Sequence, residues 1–310
     1  MDLTEKHHRG CVVKISACAL LALFLGSVSA PAQELEPRAY RAVPIGLQFV
    51  ALSYSFSSGN VLVDPTIPVE DLELDINTIG GGYFRTFSFF GRAASAAVVV
   101  PYVIASGSAT IEGEPTVGSR SDWGDARVRM SVNLVGGPAM QVQEFVKHQP
   151  GRNLGVGLIV SMPTGQYGSD LTVNFGANRW GFKPEIGYST VHGPWILEAT
   201  LGAWFFTTNT DGPGGVSKSQ DPIGSLQGHL SYNFENNVWI GVNANFFRGG
   251  QSTTGGREGQ DLQENSRFGA TVSVPLAKRH SLKLSAHTGA YTRSGADFDI
   301  GTIMYQVRLP

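Results

Sequence analysis

Apolar and polar residues alternate with a period of two along most of the chain. In "DARVRMSVNLVG", Asp125, Arg127, Arg129, Ser131 and Asn133 share one face, and Ala126, Val128, Met130, Val132 and Leu134 share the other. The pattern returns in twelve runs, approximately 46–57, 70–87, 93–111, 123–136, 153–163, 178–191, 194–207, 222–234, 238–248, 264–277, 280–292 and 298–309. In "NRWGFKPEIGYS", Trp180, Phe182, Pro184, Ile186 and Tyr188 oppose Arg179, Lys183, Glu185 and Ser189. Such polar faces carry too much charge for a dry core, so the apolar face is expected to meet lipid and the polar face water.

The connections alternate in length. Those after runs two, six, eight and ten are short ("SFFGR", "HGP", "ENN", "AKRH"), and those after runs one, three, five, seven and nine are longer and rich in Gly, Ser, Thr and Asp. Short turns at one end and long loops at the other mark a transmembrane, antiparallel, up-and-down β-barrel of about twelve strands. Closure satisfies every backbone group without exposing an edge, which is how strands cross hydrocarbon. Tyr54, Phe56, Trp123, Trp180, Trp195, Tyr232, Phe246 and Tyr305 fall near run ends, where interfacial girdles belong. "GPAMQVQEFVKHQPGR" is too long for a turn and reads as a short helix (Met140, Glu144, Phe145, Lys147) or an irregular loop. Pro101 and Pro184 fall inside strands, and "ASAAVVVPYVIA" is apolar on both faces, which predicts bulges or a sealed part of the wall.

Composition agrees with an exported barrel. Only 15% of the 310 residues are charged and 39 are glycine. The formal net charge of −2 leaves no basic footprint for nucleic acid. Residues 1–32 read as a cleaved signal peptide: Lys6, Arg9 and Lys14 precede "ISACALLALFLGSVSA", with small residues at the cleavage positions. That leaves 33–45 as an N-terminal periplasmic segment and 46–310 as the barrel. Both cysteines, Cys11 and Cys18, lie in the signal, so the mature chain has no disulfide, thiol nucleophile or cysteine metal site.

From Leu154 on, "MPTGQYGSD", "NFGANRWGFKPEIGYS", "GPWILEATLGAWFFT", "SQDPIGSLQGHLSYNF", "NSRFGATVSVPLAKRHSLKL" and "GADFD" resemble a family of proteobacterial outer-membrane proteins. These are the transporters named for the meta-cleavage pathway of phenol degradation. The "WGDARVRMSVNL" strand and the Pro101-Tyr102 strand match more loosely. The resemblance implies a 12-strand barrel in the outer membrane of a Gram-negative bacterium that takes up small molecules, aromatic ones among them. "GTIMYQVRLP" departs from the aromatic C-terminus that the barrel-assembly machinery reads, with Tyr305 as a partial substitute.

The expected lumen-lining residues are Arg127, Arg129, Arg179, Lys183, Glu185, Glu198, His229, Arg267 and Lys283, with Arg85, Arg308, Asp75 and Asp125 also assigned inward. The excess is basic. In a constriction it would favour anions such as carboxylates, or else pair with the carboxylates as a network that braces the wall. A narrow pore obstructed by inward side chains or by "QELEPRAYRAVP" is expected, since twelve strands lie between the filled and the open barrel sizes. The partners are outer-membrane lipid and a small solute, and the oligomeric state stays open. The alternatives are an outer-membrane lipid hydrolase and a structural barrel. Ser225 and His229, four strand residues and roughly 13 Å apart, cannot act as nucleophile and base. A cross-strand pair around Ser285 and His287 stays open. The histidines lack metal-ligand spacing, and no cofactor or catalytic group is assigned.

Overall fold

The computed structural model describes residues 36–62, 69–111, 113–149, 151–171 and 173–310, so the expected signal peptide lies outside the described residues. Twelve antiparallel strands form the barrel. They are β1 (Gln48–Leu62), β2 (Val69–Phe89), β3 (Arg92–Ile111), β4 in two halves (Glu114–Trp123 and Arg127–Val135), β5 (Arg152–Ser161) and β6 (Gly181–His192). There follow β7 (Trp195–Phe206), β8 (Ile223–Asn233), β9 (Trp239–Gly249), β10 (Gln263–Ala277), β11 (His280–Thr292) and β12 (Gly295–Arg308). Each pairs with its neighbours in sequence, and β1 pairs with β12 from Phe49↔Arg308 to Leu62↔Gly295, which closes the sheet.

The apolar face is outside. Leu52, Ile79, Met130, Ile186, Leu197, Leu201, Leu226, Val242 and Phe268 are exposed, whereas Lys183, Glu185, Glu198, Ser225, Gln227, His229, Asn243 and Arg267 are buried. A water-soluble domain shows the reverse, so the exposed belt is the lipid face. The expected girdle residues point outward from it. Trp123 sits edge-on to Tyr102 at 5.2 Å and Trp195 edge-on to Tyr232 at 4.9 Å. Leu201 lies midway along β7 beside Ile186 and Leu226, and is 59% exposed. Leu201→Arg is therefore expected to destabilise the barrel by about 2–4 kcal/mol, as for a cation at the bilayer midplane. Urea unfolding in vesicles measures this, and a loss below about 1 kcal/mol would place Leu201 away from hydrocarbon.

The strands run further on the long-loop side than the alternation predicts. β1 continues to Leu62, β4 begins at Glu114 and β12 at Gly295, so the β3–β4 and β11–β12 connections are tight. "SSGN", "ASGSAT" and "TVGSRS" have small polar residues on both faces, and their backbone pairing extends beyond the lipid without any apolar face to announce it. Two inward assignments are overturned, one at each end of β2. Arg85 pairs with Gln48 on the outer face, because the buried inward position is its neighbour Thr86. Asp75 pairs with Ser58 and Ser106 on the outer face of the extension, while Leu74 and Ile76 turn inward.

Both prolines sit at interruptions. Opposite Pro101, two residues of β3 face three of β4: the register passes from Tyr102↔Trp123 to Val99↔Arg127, leaving Gly124–Ala126 as a bulge where the missing proline N–H is not needed. Between β6 and β7 the ladder lapses at Lys183–Pro184 with the register intact. At the short-turn end, residues 142–145 form a single helical turn, and the flanking chain is tied to the β2–β3 turn through Ala93 N–H to Gly137 O and Ala139 N–H to Gly91 O.

Candidate functional site

The strand register sorts the inward residues into two walls. On β2, β3 and β12 the interior is apolar: Leu72, Leu74, Ile76, Val103, Ala105 and Phe298 form one buried cluster. On β4 to β11 it is polar and charged, apart from Ile159, Trp204, Ile223 and Phe247 near the long-loop mouth. The two-sided hydrophobicity of "ASAAVVVPYVIA" is thus a greasy inner wall as well as a lipid face.

Residues 162–180 fold back into the long-loop mouth and cover this greasy wall. Phe175, 1% exposed, sits within the β2–β3–β12 cluster. The bulge in β4 aims Asp125 at this loop, where its two carboxylate oxygens accept the backbone N–H groups of Gly165 (2.9 Å) and Ala177 (2.8 Å). Gly165 and Gly176 meet at this point, and a Cβ on Gly165 would lie 2.7 Å from the Gly124 backbone. Arg120 holds the same loop from above, donating to Val173 O at 2.9 Å.

The described part of "QELEPRAYRAVP" enters the lumen from the short-turn end. Pro44 O accepts the Thr86 hydroxyl, and Ile45 N–H donates to Met140 O beneath the barrel. Upstream, Tyr40 lies between β5 and β6 and is 2% exposed. Three inward glycines make its niche: a Cβ on Gly155 would lie 2.7 Å from the ring, and Cβ atoms on Gly157 and Gly187 would collide with it outright. Arg38 N–H donates to Glu198 at 2.5 Å, and its guanidinium stacks 3.9 Å from the Trp239 ring centre. Glu36 accepts Lys283 Nζ at 2.7 Å. The segment therefore crosses the lumen from β11 past β7–β9 to β5–β6.

Five of the nine expected lumen residues converge. Arg127 and Arg129 on β4 lie across β5 from Gly181 and Lys183 on β6, with Arg179 one step further towards the mouth. Below them Glu185 is a hub, accepting Arg129 at 2.5 Å and the Tyr40 hydroxyl at 2.9 Å, with Lys183 Nζ at 3.6 Å. Burial first, and then the Glu185 charge, push the Tyr40 phenol well above its usual range, so it stays a neutral donor. The other four lie on β7, β8, β10 and β11. Glu198 holds Arg38, and Lys283 holds Glu36. His229 bonds Asn243, which passes the chain to Thr271. Arg267 is 1% exposed and donates to Phe298 O, bracing β10 to β12 across β11. Ser225 turns to Gly202 O, so the Ser225–His229 pair does not meet. Among the described residues, no group of three acidic or histidine side chains could hold a metal ion.

Sequence reasoning missed Tyr40, Phe175 and the clamping role of Asp125. A signal for Tyr40 exists: Gly155, Gly157 and Gly187 all fall on the inward parity, where a run of missing side chains makes room for something else.

A family model described as "Putative MetA-pathway of phenol degradation" matches residues 53–297. No curated protein matches the chain. Among solved structures, the COG4313 outer membrane channel from Pseudomonas putida F1 superposes with a TM-score of 0.75 at 18% identity, covering 89% of this chain and 100% of that one. The transport unit of the autotransporter AIDA-I from Escherichia coli does so with a TM-score of 0.53 at 10% identity, covering 94% of this chain and 96% of that one. At these identities the likeness is one of fold.

Proposed function

The chain belongs to the family described as the MetA-pathway of phenol degradation, and from that premise we propose that it is an outer-membrane channel for passive uptake of small amphipathic solutes, aromatic carboxylates among them. The observation that carries the reading is the lumen itself. A row of cations, Arg179, Arg127, Lys183 and Arg129, lines β4 to β6 inside one closed barrel. The charge row lowers the cost of stripping water from an anion. Channels similar in fold include one named as an outer membrane channel, which supports the same reading. No catalytic group is needed for it. The family name indicates phenolic compounds, and an acidic phenol derivative carries the charge that this row would meet.

Single-channel recording in a salt gradient tests the charge row. Arg127→Ala and Arg129→Ala together are expected to lower the anion-to-cation permeability ratio, with the reversal potential moving in the cation direction. Unchanged selectivity would assign the arginines to bracing Glu185 and remove them from the pathway. A channel should also conduct without any phospholipid turnover in the same preparation.

A further inference from the structure

The β2–β3 hairpin ends in an aromatic tip on the short-turn side, which in an outer-membrane barrel faces the periplasm. Phe89 pairs with Arg92, leaving Phe90 and Gly91 as a two-residue turn in which both φ angles are positive, 47° and 74°. Such a turn favours Asn-Gly or Gly-Gly, because a bulky side chain in the left-handed region crowds the following carbonyl. A phenylalanine stands there instead. Phe90 is 90% exposed, and its ring meets that of Phe89 edge-on at 4.6 Å. A large apolar group held at a strained position in the open calls for a surface that covers it.

The spacing of the lipid face identifies that surface. On β2 the outward residues descend from Ile79 through Tyr83, Arg85 and Phe87 to Phe89. Ile79 lies between Tyr54 and Tyr102, and Tyr102 packs on Trp123, so it marks the aromatic girdle on the long-loop side. From Ile79 to Phe89 is ten residues of strand, which at about 3.4 Å each and a tilt of about 40° descend roughly 26 Å, against an apolar band of about 25 Å. The lower edge of the hydrocarbon therefore falls at Phe89. On β7 the same ten residues separate Trp195 from Phe205, both exposed. Arg92, opposite Phe89 on the same face, then stands among the headgroups. Arg85 lies four residues deeper, roughly 10 Å by the same geometry, and its long side chain has to carry the charge back towards them. Gln48, its neighbour across the ladder, already accepts the Tyr83 hydroxyl at 2.7 Å. Along β3 only Ala94 and Ala96 lie between Arg92 and the level of Arg85, which leaves a shallow track between the two guanidinium groups.

We propose that Arg85 and Arg92 form a headgroup site for an anionic phospholipid of the periplasmic leaflet, with Phe89 and Phe90 inserted beside it as an anchor. The patch is the lower end of the lipid face itself, and its charge is opposite to that of a phosphate. The guanidinium groups donate to the phosphate oxygens, and the rings take the boundary between acyl chains and headgroups. The site concerns how the barrel is seated in the membrane, and it stands whether or not the lumen conducts.

Native mass spectrometry of the detergent-solubilised barrel, titrated separately with phosphatidylglycerol and phosphatidylcholine, tests the headgroup site. Phosphatidylglycerol is expected to bind at least about tenfold more tightly, the worth of one charge-assisted contact. Arg85→Gln and Arg92→Gln together should remove most of that preference. Equal binding of the two lipids, or a preference that survives the double substitution, would overturn the site. The anchor is read in phosphatidylglycerol-containing vesicles, with an environment-sensitive dye on Phe90→Cys in a chain that lacks residues 1–32 and with them Cys11 and Cys18. Its emission should shift to the blue and be quenched by brominated lipid, with little quenching by aqueous iodide. Iodide quenching as strong as for the free dye would place the tip in water and overturn the anchor.

Discussion

Removing the Tyr40 ring is expected to widen the conducting path, with Tyr40→Gly raising single-channel conductance roughly twofold or more, since the ring and its tethered segment occupy the cross-section at their level. The expectation follows from where the ring sits. Tyr40 crosses from the chain that enters at Pro44 to the inner surface of β5 and β6, and it is 2% exposed there. Its hydroxyl bonds Glu185, and the Arg129 guanidinium lies 5.5 Å from its ring centre. Most of the hold is steric fit, because the niche exists only where Gly155, Gly157 and Gly187 lack side chains. Gly187→Val is therefore expected to evict an intact Tyr40 and give the same gain from the opposite side. The double variant should conduct no better than either single one, as changes to one contact are not additive. Tyr40→Phe keeps the fit and loses one hydrogen bond to a carboxylate, worth about 1.5–3 kcal/mol, so the ring stays in its niche and conductance should stay near that of the unchanged protein. A Tyr40→Gly barrel with unaltered conductance would move the constriction elsewhere, to residues 162–180.

Much of this architecture is legible in the sequence, and what is not has definite physical causes. Alternation located all twelve strands, since a period of two with a charged inner face has one closed solution in a membrane. It underestimated β1, β4 and β12, whose outer ends stand above the lipid and pair through backbone alone. Lys183, Glu185, Glu198 and His229 are buried, whereas Arg85 is not: β2 keeps one parity from Leu74 and Ile76 to Thr86, and Arg85 falls on the other face. The lumen cations divide between two kinds of partner. Glu185 gathers Arg129 and Lys183 into a network with Tyr40, whereas Arg179 turns to Gln220 and an aromatic face. Local alternation cannot make that division, because the deciding partners, Tyr40 and Gln220, come from a terminal segment and a loop with no periodicity of their own. Asp125 shows the same limit. Its parity says inward, but the bulge opposite Pro101 re-aims it at backbone from forty and more residues later.

Asp125→Ala is expected to release residues 162–180 from the mouth. Two backbone N–H groups, of Gly165 and Ala177, end on this one carboxylate at 2.9 and 2.8 Å. Hydrogen bonds to a charged acceptor contribute about 1.5–3 kcal/mol each, and here their loss also leaves the two donors without a partner. A loss of about 3 kcal/mol shifts the folded-in to folded-out equilibrium of the loop by roughly a hundredfold. Asp125→Asn keeps one acceptor oxygen, so it should retain part of the hold and fall between the two. What opposes release is Phe175, buried against Leu74, Ile76, Val103 and Phe298, together with the Arg120 bond to Val173 O. Phe175→Ala alone is accordingly expected to loosen the loop, and combined with Asp125→Ala to free it fully. Limited proteolysis from outside intact cells reads the loop directly. The double variant should be cut between residues 162 and 180 while the unchanged protein resists. The same variant should pass larger solutes in liposome swelling. A loop that remains protected in Asp125→Ala and Phe175→Ala together would mean that the constriction at the mouth is held by the strands themselves, leaving the clamp without a role in permeability.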